Sequence, residues 1–188
     1  MPIQLDCLRQ YTGLLPGVSE VVQRLQKQGI KIGSTTGFTR PMVDILEEEA
    51  AKQGYRPDAS VAGDEVINGA RPSPHMVYKN LDMLNITPIQ SVIKVDDTAS
   101  GVGEAVNAGC WGVGVSRYSN YMDIDVPEDA EKLSEGEIEK RNEKTKSILH
   151  NAGAHYIIDS IADIEPVIDD VNKRLSSGRK TINSETNP

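Results

Sequence analysis

The stretch from Ser91 to Val115, SVIKVDDTASGVGEAVNAGCWGVGV, limits what this chain can fold into more than any other. A short apolar run (Val92, Ile93, Val95) ends in two adjacent carboxylates, Asp96 and Asp97. A Thr-Ala-Ser-Gly turn follows, then a helix of small residues, then Gly109 and a second apolar run from Trp111 to Val115. Strand, turn, helix, glycine, strand is the pattern of a parallel βαβ unit. Ligands of such sheets sit beyond the carboxyl ends of the strands, so Asp96 and Asp97 are expected to face a site. Two neighbouring carboxylates are costly unless a cation neutralises them, and a hard divalent ion such as Mg²⁺ does so. The plainer alternative is an acidic turn in water.

The same alternation runs through the rest of the chain. Pro16-Gly17 breaks it. Val18, Val21, Val22 and Leu25 then recur at helical spacing up to Gly29. Ile30 to Gly33 reads as a strand that runs into Ser34-Thr35-Thr36-Gly37. Thr39 is placed to cap the next helix, with Pro41 in its first turn and Met42, Val43, Leu46 and Ala50 on its apolar side. Ala59 to Ala62 is a short strand, Gly63 to Gly69 a polar loop, and Arg71-Pro72-Ser73-Pro74 leads into a helix bearing Met76, Val77, Leu81 and Leu84. After Val115 come a loop with Tyr118 and Tyr121 and a Glu/Lys-rich run, Pro127 to Lys146, read as a solvated helix preceded by a turn. Tyr156 to Ile158 is the last strand. The closing helix buries Ile161, Ile164, Val167, Ile168, Val171 and Leu175. Repeated strand–helix alternation predicts an α/β fold, a Rossmann-like three-layer α/β/α arrangement around a mostly parallel sheet.

Composition narrows the partners. A formal charge of −8 argues against nucleic acid and anionic membranes, which require clustered Lys and Arg. No apolar run approaches transmembrane length, and no basic segment followed by an apolar core opens the chain. Cys7 and Cys110 lie far apart without metal-type spacing, as expected of reduced thiols, so a cytoplasmic protein is predicted.

Three polar clusters each follow a strand. Hydroxyls and backbone N–H groups of Ser34-Thr35-Thr36-Gly37, ahead of a helix, suit a phosphate. Arg71, beside two prolines at a helix start, suits an anion. Asp96 and Asp97 form the metal end. Hydroxyl, cation and paired acids in that order describe a Mg²⁺-assisted phosphoryl-transfer site, where positioning and charge neutralisation supply most of the catalysis. His75 and His155 are read as structural, Cys110 and Trp111 as core. Lys27, Lys31, Lys52, Lys79 and Lys94 are read as solvated.

The order and spacing resemble the haloacid dehalogenase-type phosphohydrolases and, among them, the phosphonoacetaldehyde hydrolase (phosphonatase) group. The strings GIKIGSTTGFTRPMVDIL, GYRPD, ARPSPHMVYKN, IKVDDTASGVGEAVNAGCWGVGV and NAGAHYIIDSIADI carry the resemblance, which runs from about Pro2 to Leu175. It implies that Thr36 and Gly37 hold the phosphoryl group and that Arg71 balances its charge. It implies that Asp97 ligates Mg²⁺ directly, with Asp96 assisting directly or through water. The implied ligand is a small phosphonate or phosphate, and relatives form homodimers. Family members with a further acid four residues beyond the second Asp differ from this chain, which has Gly101 there, but members with the doubled acid also carry glycine.

Two expected features are not found in the sequence. The family's nucleophilic Asp lies in a D-x-A-G-T string on the first strand, and no such string occurs here; Asp6 is followed by Cys-Leu-Arg-Gln. The cap whose Lys forms a Schiff base with the substrate aldehyde is also missing. The resemblance therefore divides the chain into residues 1–13, a remnant of the cap-to-core connection, 14–175, a haloacid dehalogenase-like core, and 176–188, a disordered tail. Without the first central strand, the Ile30 and Val92 strands are expected either to flank a cleft or to pair directly, with lower stability and weak Mg²⁺ binding. Two functions stay open. One is a hydrolase that cleaves the C–P bond of phosphonoacetaldehyde, with this polypeptide inactive alone. The other is a non-catalytic protein that binds phosphate or metal or partners a full-length subunit.

Overall fold

Hydrophobic positions at helical spacing alternate with three- to five-residue strands along the whole of the computed structural model, which describes residues 12–67, 71–124 and 132–178. These residues fall into two units that divide between Ile86 and Thr87.

In the first unit, helix α1 (Val18–Lys27) buries Val21, Val22 and Leu25. Strand β1 (Gly33–Thr35) is followed by α2 (Arg40–Lys52), β2 (Ala59–Val61) and α3 (His75–Leu84). The two strands pair in parallel, with Gly33 opposite Ala59 and Thr35 opposite Val61. The predicted strand from Ile30 is corrected: the ladder begins at Gly33. The Asp58 carboxylate accepts from the Ile32 N–H at 2.9 Å, and the Ile32 carbonyl accepts from the Asp58 N–H at 2.7 Å. A side chain thus takes the place a neighbouring strand would fill. Gly33 itself permits α3 to lie close, because a β-carbon there would stand 2.6 Å from Asn80 Oδ1. Thr39 occupies the N-cap of α2 in extended geometry with Pro41 behind it, but its side chain makes no capping bond.

The second unit holds β3 (Ile93–Asp96), α4 (Ala99–Ala108), β4 (Trp111–Val115), α5 (Glu135–Asn151), β5 (Tyr156–Ile158) and α6 (Ile164–Ser176). Its sheet has the order β3-β4-β5, parallel throughout. Central β4 is buried at all five positions, as a parallel strand covered on both sides must be. The Thr-Ala-Ser-Gly segment is not a separate turn: Thr98 is the N-cap, accepting from the Gly101 N–H, and Ala99 is already helical. Such a cap is worth about 1 kcal/mol. Gly109 ends α4 at φ 79°, where a side chain would be strained. The charged run also differs from expectation. Its helix extends to Asn151 and buries Asn142, Thr145 and Leu149, so one face is core rather than solvated. In the closing helix Ile164, Val167 and Val171 are buried, and Ile161 sits in a preceding 3₁₀ turn.

Among the described residues β1 pairs with β2 within the first unit, and β3 with β4 within the second. The segments assigned to a cap remnant and a tail lie mostly outside the described residues, and Ser176 closes α6. No helix among the described residues is long and apolar enough to cross a membrane.

Candidate active site

Thr36 and Gly37 leave the carboxyl end of β1 in the first unit. The Thr36 N–H donates to the Val61 carbonyl at 3.2 Å, which extends the ladder by one bond, and Thr36 Oγ1 accepts from the Phe38 N–H at 3.2 Å. The hydroxyl is thereby fixed on the turn. Gly37 borders open space, with nothing within 4 Å of where a β-carbon would stand. Its carbonyl instead packs on Gly63, where an added β-carbon would lie 2.9 Å away. Arg71 comes to the same strand end from α3's approach: its Nη2 donates to the Thr35 carbonyl at 2.9 Å. The structure thus brings together two of the predicted phosphate-holding residues, Thr36 and Arg71, from positions far apart in sequence.

The other arginine of this region is committed elsewhere. The Arg40 guanidinium bonds the Glu65 carboxylate and donates to the Ser60 carbonyl at 2.9 Å. Hydrogen bonding from Arg40 holds the Glu65 carboxyl below its ordinary range, and the same contact raises Arg40. Lys79, expected to be solvated, donates to the Glu65 carbonyl at 3.1 Å and so braces this turn from α3. Lys31 and Lys52 remain more than half exposed.

Asp96 and Asp97 end β3 in the second unit. Asp96 Oδ1 accepts from Thr98 N at 3.0 Å and from Thr98 Oγ1 at 2.7 Å. Its Oδ2 lies 3.1 Å from Lys94 Nζ, which in turn lies 3.2 Å from Glu104 Oε2. All three side chains are buried, at 9%, 7% and 0% exposure for Lys94, Asp96 and Glu104. The solvated reading of Lys94 is therefore overturned. Residues 94 and 96 share one face of the strand, and α4, which carries Glu104, covers it. A lysine, rather than only an external ion, answers the charge of the paired acids. The Asp97 backbone is held from the loop after β4: its carbonyl accepts from Ser119 Oγ at 2.6 Å, while Ala99 N donates to the Tyr121 hydroxyl at 3.2 Å.

Asp159, which leaves the carboxyl end of β5 on this same sheet edge, escaped the sequence reading. It accepts from Ser116 Oγ and Asn142 Nδ2, each at 3.1 Å, and pairs with Lys146 at 3.3 Å. Burial pushes its carboxyl up, yet the bonds from Asn142, Lys146 and Ser116 leave it below the ordinary range. An acid immediately after the apolar Tyr156–Ile158 run was the available signal. His155 has a structural role, its Nδ1 accepting from the Gly112 N–H at 2.9 Å. Cys110 is buried, and burial pushes its thiol up to about 11.

Among the described residues no three His, Cys, Asp or Glu side chains stand close enough to share a metal ion. The donor chemistry nevertheless suits Mg²⁺, which binds through one or two carboxylates and keeps several waters. A side chain at position 101 would collide with the Asp96 carboxylate, so Asp96 fills the volume that an acid at that position would use. Asp96 and Asp97 are the two carboxylates at this strand end that could hold such an ion, and the two oxygens of Asp96 meet Thr98 and Lys94.

Comparison with known proteins agrees with the sequence reading. The haloacid dehalogenase-like hydrolase family matches residues 4–109. A phosphonoacetaldehyde hydrolase of Aeromonas hydrophila is 42% identical over 180 residues, covering 96% of this chain and 64% of that protein. A bifunctional phosphonoacetaldehyde hydrolase/aminoethylphosphonate transaminase of Clostridioides difficile is 41% identical over 167 residues, covering 89% of this chain and 26% of that protein. The crystal structure of a phosphonoacetaldehyde hydrolase-like protein from Oleispira antarctica superposes with a TM-score of 0.90 at 42% identity, covering 95% of this chain and 64% of that one. The chain thus spans just under two thirds of the Aeromonas relative. With this agreement over nearly all of its length, the chain belongs to the haloacid dehalogenase-like hydrolases, in their phosphonoacetaldehyde hydrolase group.

Proposed function

We propose that this chain carries the phosphate- and metal-handling residues of a phosphonoacetaldehyde hydrolase, which converts phosphonoacetaldehyde and water to acetaldehyde and phosphate. Thr36 and Gly37 receive the phosphoryl oxygens, and Arg71 offsets their charge. Asp97 ligates Mg²⁺, and Asp96 assists it. Bound there, Mg²⁺ would neutralise phosphoryl charge. The observation that carries this reading is the hydrogen bond from Arg71 to the Thr35 carbonyl, which holds a guanidinium at the strand end from which Thr36 leaves. Fixed donors aimed at an anion are what charge stabilisation requires, since they need no reorganisation when the ligand arrives.

Breaking a C–P bond also requires a nucleophile for the phosphorus and an electron sink on the carbon side. The 188 residues contain no D-x-A-G-T string to supply the first. On this reading the polypeptide binds phosphate but does not by itself release acetaldehyde. Two assays on the purified chain decide this: calorimetric titration with inorganic phosphate in the presence of Mg²⁺, and enzymatic detection of acetaldehyde from phosphonoacetaldehyde. Binding without release is expected. Release at the rate of a working hydrolase, or no phosphate binding at all, contradicts the assignment.

A further inference from the structure

We propose that Lys94, held in place by Glu104, sets the position of the Asp96 carboxylate and the net charge around it, and so tunes the divalent-cation affinity of the Asp96–Asp97 pair. The inference rests on the reading of those two acids as metal ligands.

Three features of the structure support it. Lys94 Nζ lies between two carboxylates, 3.1 Å from Asp96 Oδ2 and 3.2 Å from Glu104 Oε2. All three groups are buried, so their charges are weakly screened and act strongly on anything bound nearby. Asp96 is also held from its other oxygen by Thr98 N and Oγ1, and its carboxylate occupies the volume over Gly101. The carboxylate is therefore fixed from two sides by groups of the chain itself.

The arithmetic of the cluster gives it a function beyond packing. Lys94 with Asp96 alone would form a neutral pair. Glu104, fully buried on α4, adds one negative charge to the group through its contact with Lys94. Lys94 thus weakens divalent binding and Glu104 strengthens it, while both hold the geometry. Lys94 is a positioning residue that acts through Asp96, not a catalytic one. A purely structural cluster makes a different prediction, because loss of either partner would then disorder Asp96 and weaken metal binding in both cases.

The experiment is calorimetric titration of the full chain with Mg²⁺, with Mn²⁺ followed by electron paramagnetic resonance as a second readout and thermal unfolding as the check on folding. Glu104→Gln is expected to weaken Mg²⁺ about tenfold and Lys94→Met to tighten it about tenfold, each by one nearby unit charge acting on a dication. The double variant K94M/E104Q is expected near the unsubstituted affinity. If K94M does not fold, E104Q and the double variant still decide the matter. Weakened binding in every folded variant, or unchanged affinity in E104Q, overturns the inference while leaving the metal assignment in place. Failure of the unsubstituted chain to bind Mg²⁺ overturns the metal assignment and this inference with it.

Discussion

Gly101 and Asp96 share one volume: a β-carbon on residue 101 would fall inside the Asp96 carboxylate. Gly101 lies in the first turn of α4, where helix propensity alone favours alanine by about 1 kcal/mol. Overpacking opposes that gain and costs roughly 1–3 kcal/mol when a methyl group is forced into occupied space.

Gly101→Ala is therefore expected to destabilise the chain, against its helix propensity. In the background of Asp96→Ala the same substitution becomes neutral or stabilising. Urea unfolding of the two single variants and the double variant measures this coupling; simple additivity would contradict it.

Asn80 is 4% exposed and donates through Nδ2 to the Ser34 carbonyl, which joins α3 to β1 just before the turn that carries Thr36 and Gly37. Asn80→Ala removes that donor and leaves a cavity, at an expected cost of about 1–3 kcal/mol. Gly33→Ala is expected to be comparably harmful, since its β-carbon would stand 2.6 Å from Asn80 Oδ1. Thermal unfolding distinguishes this from an exposed strand end, where both changes would be nearly silent.

Asp58 takes the hydrogen bond of the Ile32 N–H, and further bonds from Gln26 and Lys31, which hold its carboxyl below the usual 3.8. A carboxylate depressed by folding adds stability above its unfolded pKa and loses it as pH falls toward the folded value. The chain should therefore lose stability as pH falls below about 4. Asp58→Asn should remove about 1–2 kcal/mol at pH 7 and flatten part of that acid-side slope. A parallel shift of the whole pH–stability curve would show that Asp58 acts only through packing.

Much of this was legible in the residues. The Ser91–Val115 pattern gave strand, helix and strand because its periodicity and its punctuating Gly109 agree. Thr36 and Arg71 were legible from their places after a strand and before a helix. The shift of β1 from Ile30 to Gly33 was not, because it depends on Asp58, which lies 26 residues away from Ile32 in the chain. Lys94 was misread for a related reason. Its burial depends on Glu104 arriving from α4, and a lysine in a short strand carries no local sign of a partner across the helix. The core face of α5 was hidden by its charge, since two of its buried residues, Asn142 and Thr145, are polar and sit inside the Glu/Lys-rich run, while Leu149 lies just beyond it.

Arg71→Ala is expected to weaken phosphate binding by about 2 kcal/mol, near thirtyfold, as for loss of a charge-assisted bond. Arg71→Lys keeps the charge but not the fork that reaches the Thr35 carbonyl, so an intermediate loss is expected. Equal affinity in all three proteins, measured by calorimetry, would remove Arg71 from the phosphate-holding set.

The most direct test of the central claim, that this chain carries the phosphate- and metal-handling residues of a phosphonoacetaldehyde hydrolase, is the linkage between Mg²⁺ and phosphate. Phosphate affinity is measured with and without Mg²⁺ in the unsubstituted chain and in Asp97→Asn. The account predicts that Mg²⁺ strengthens phosphate binding in the first protein and has no effect in the second. Phosphate binding that ignores Mg²⁺ in both would contradict it.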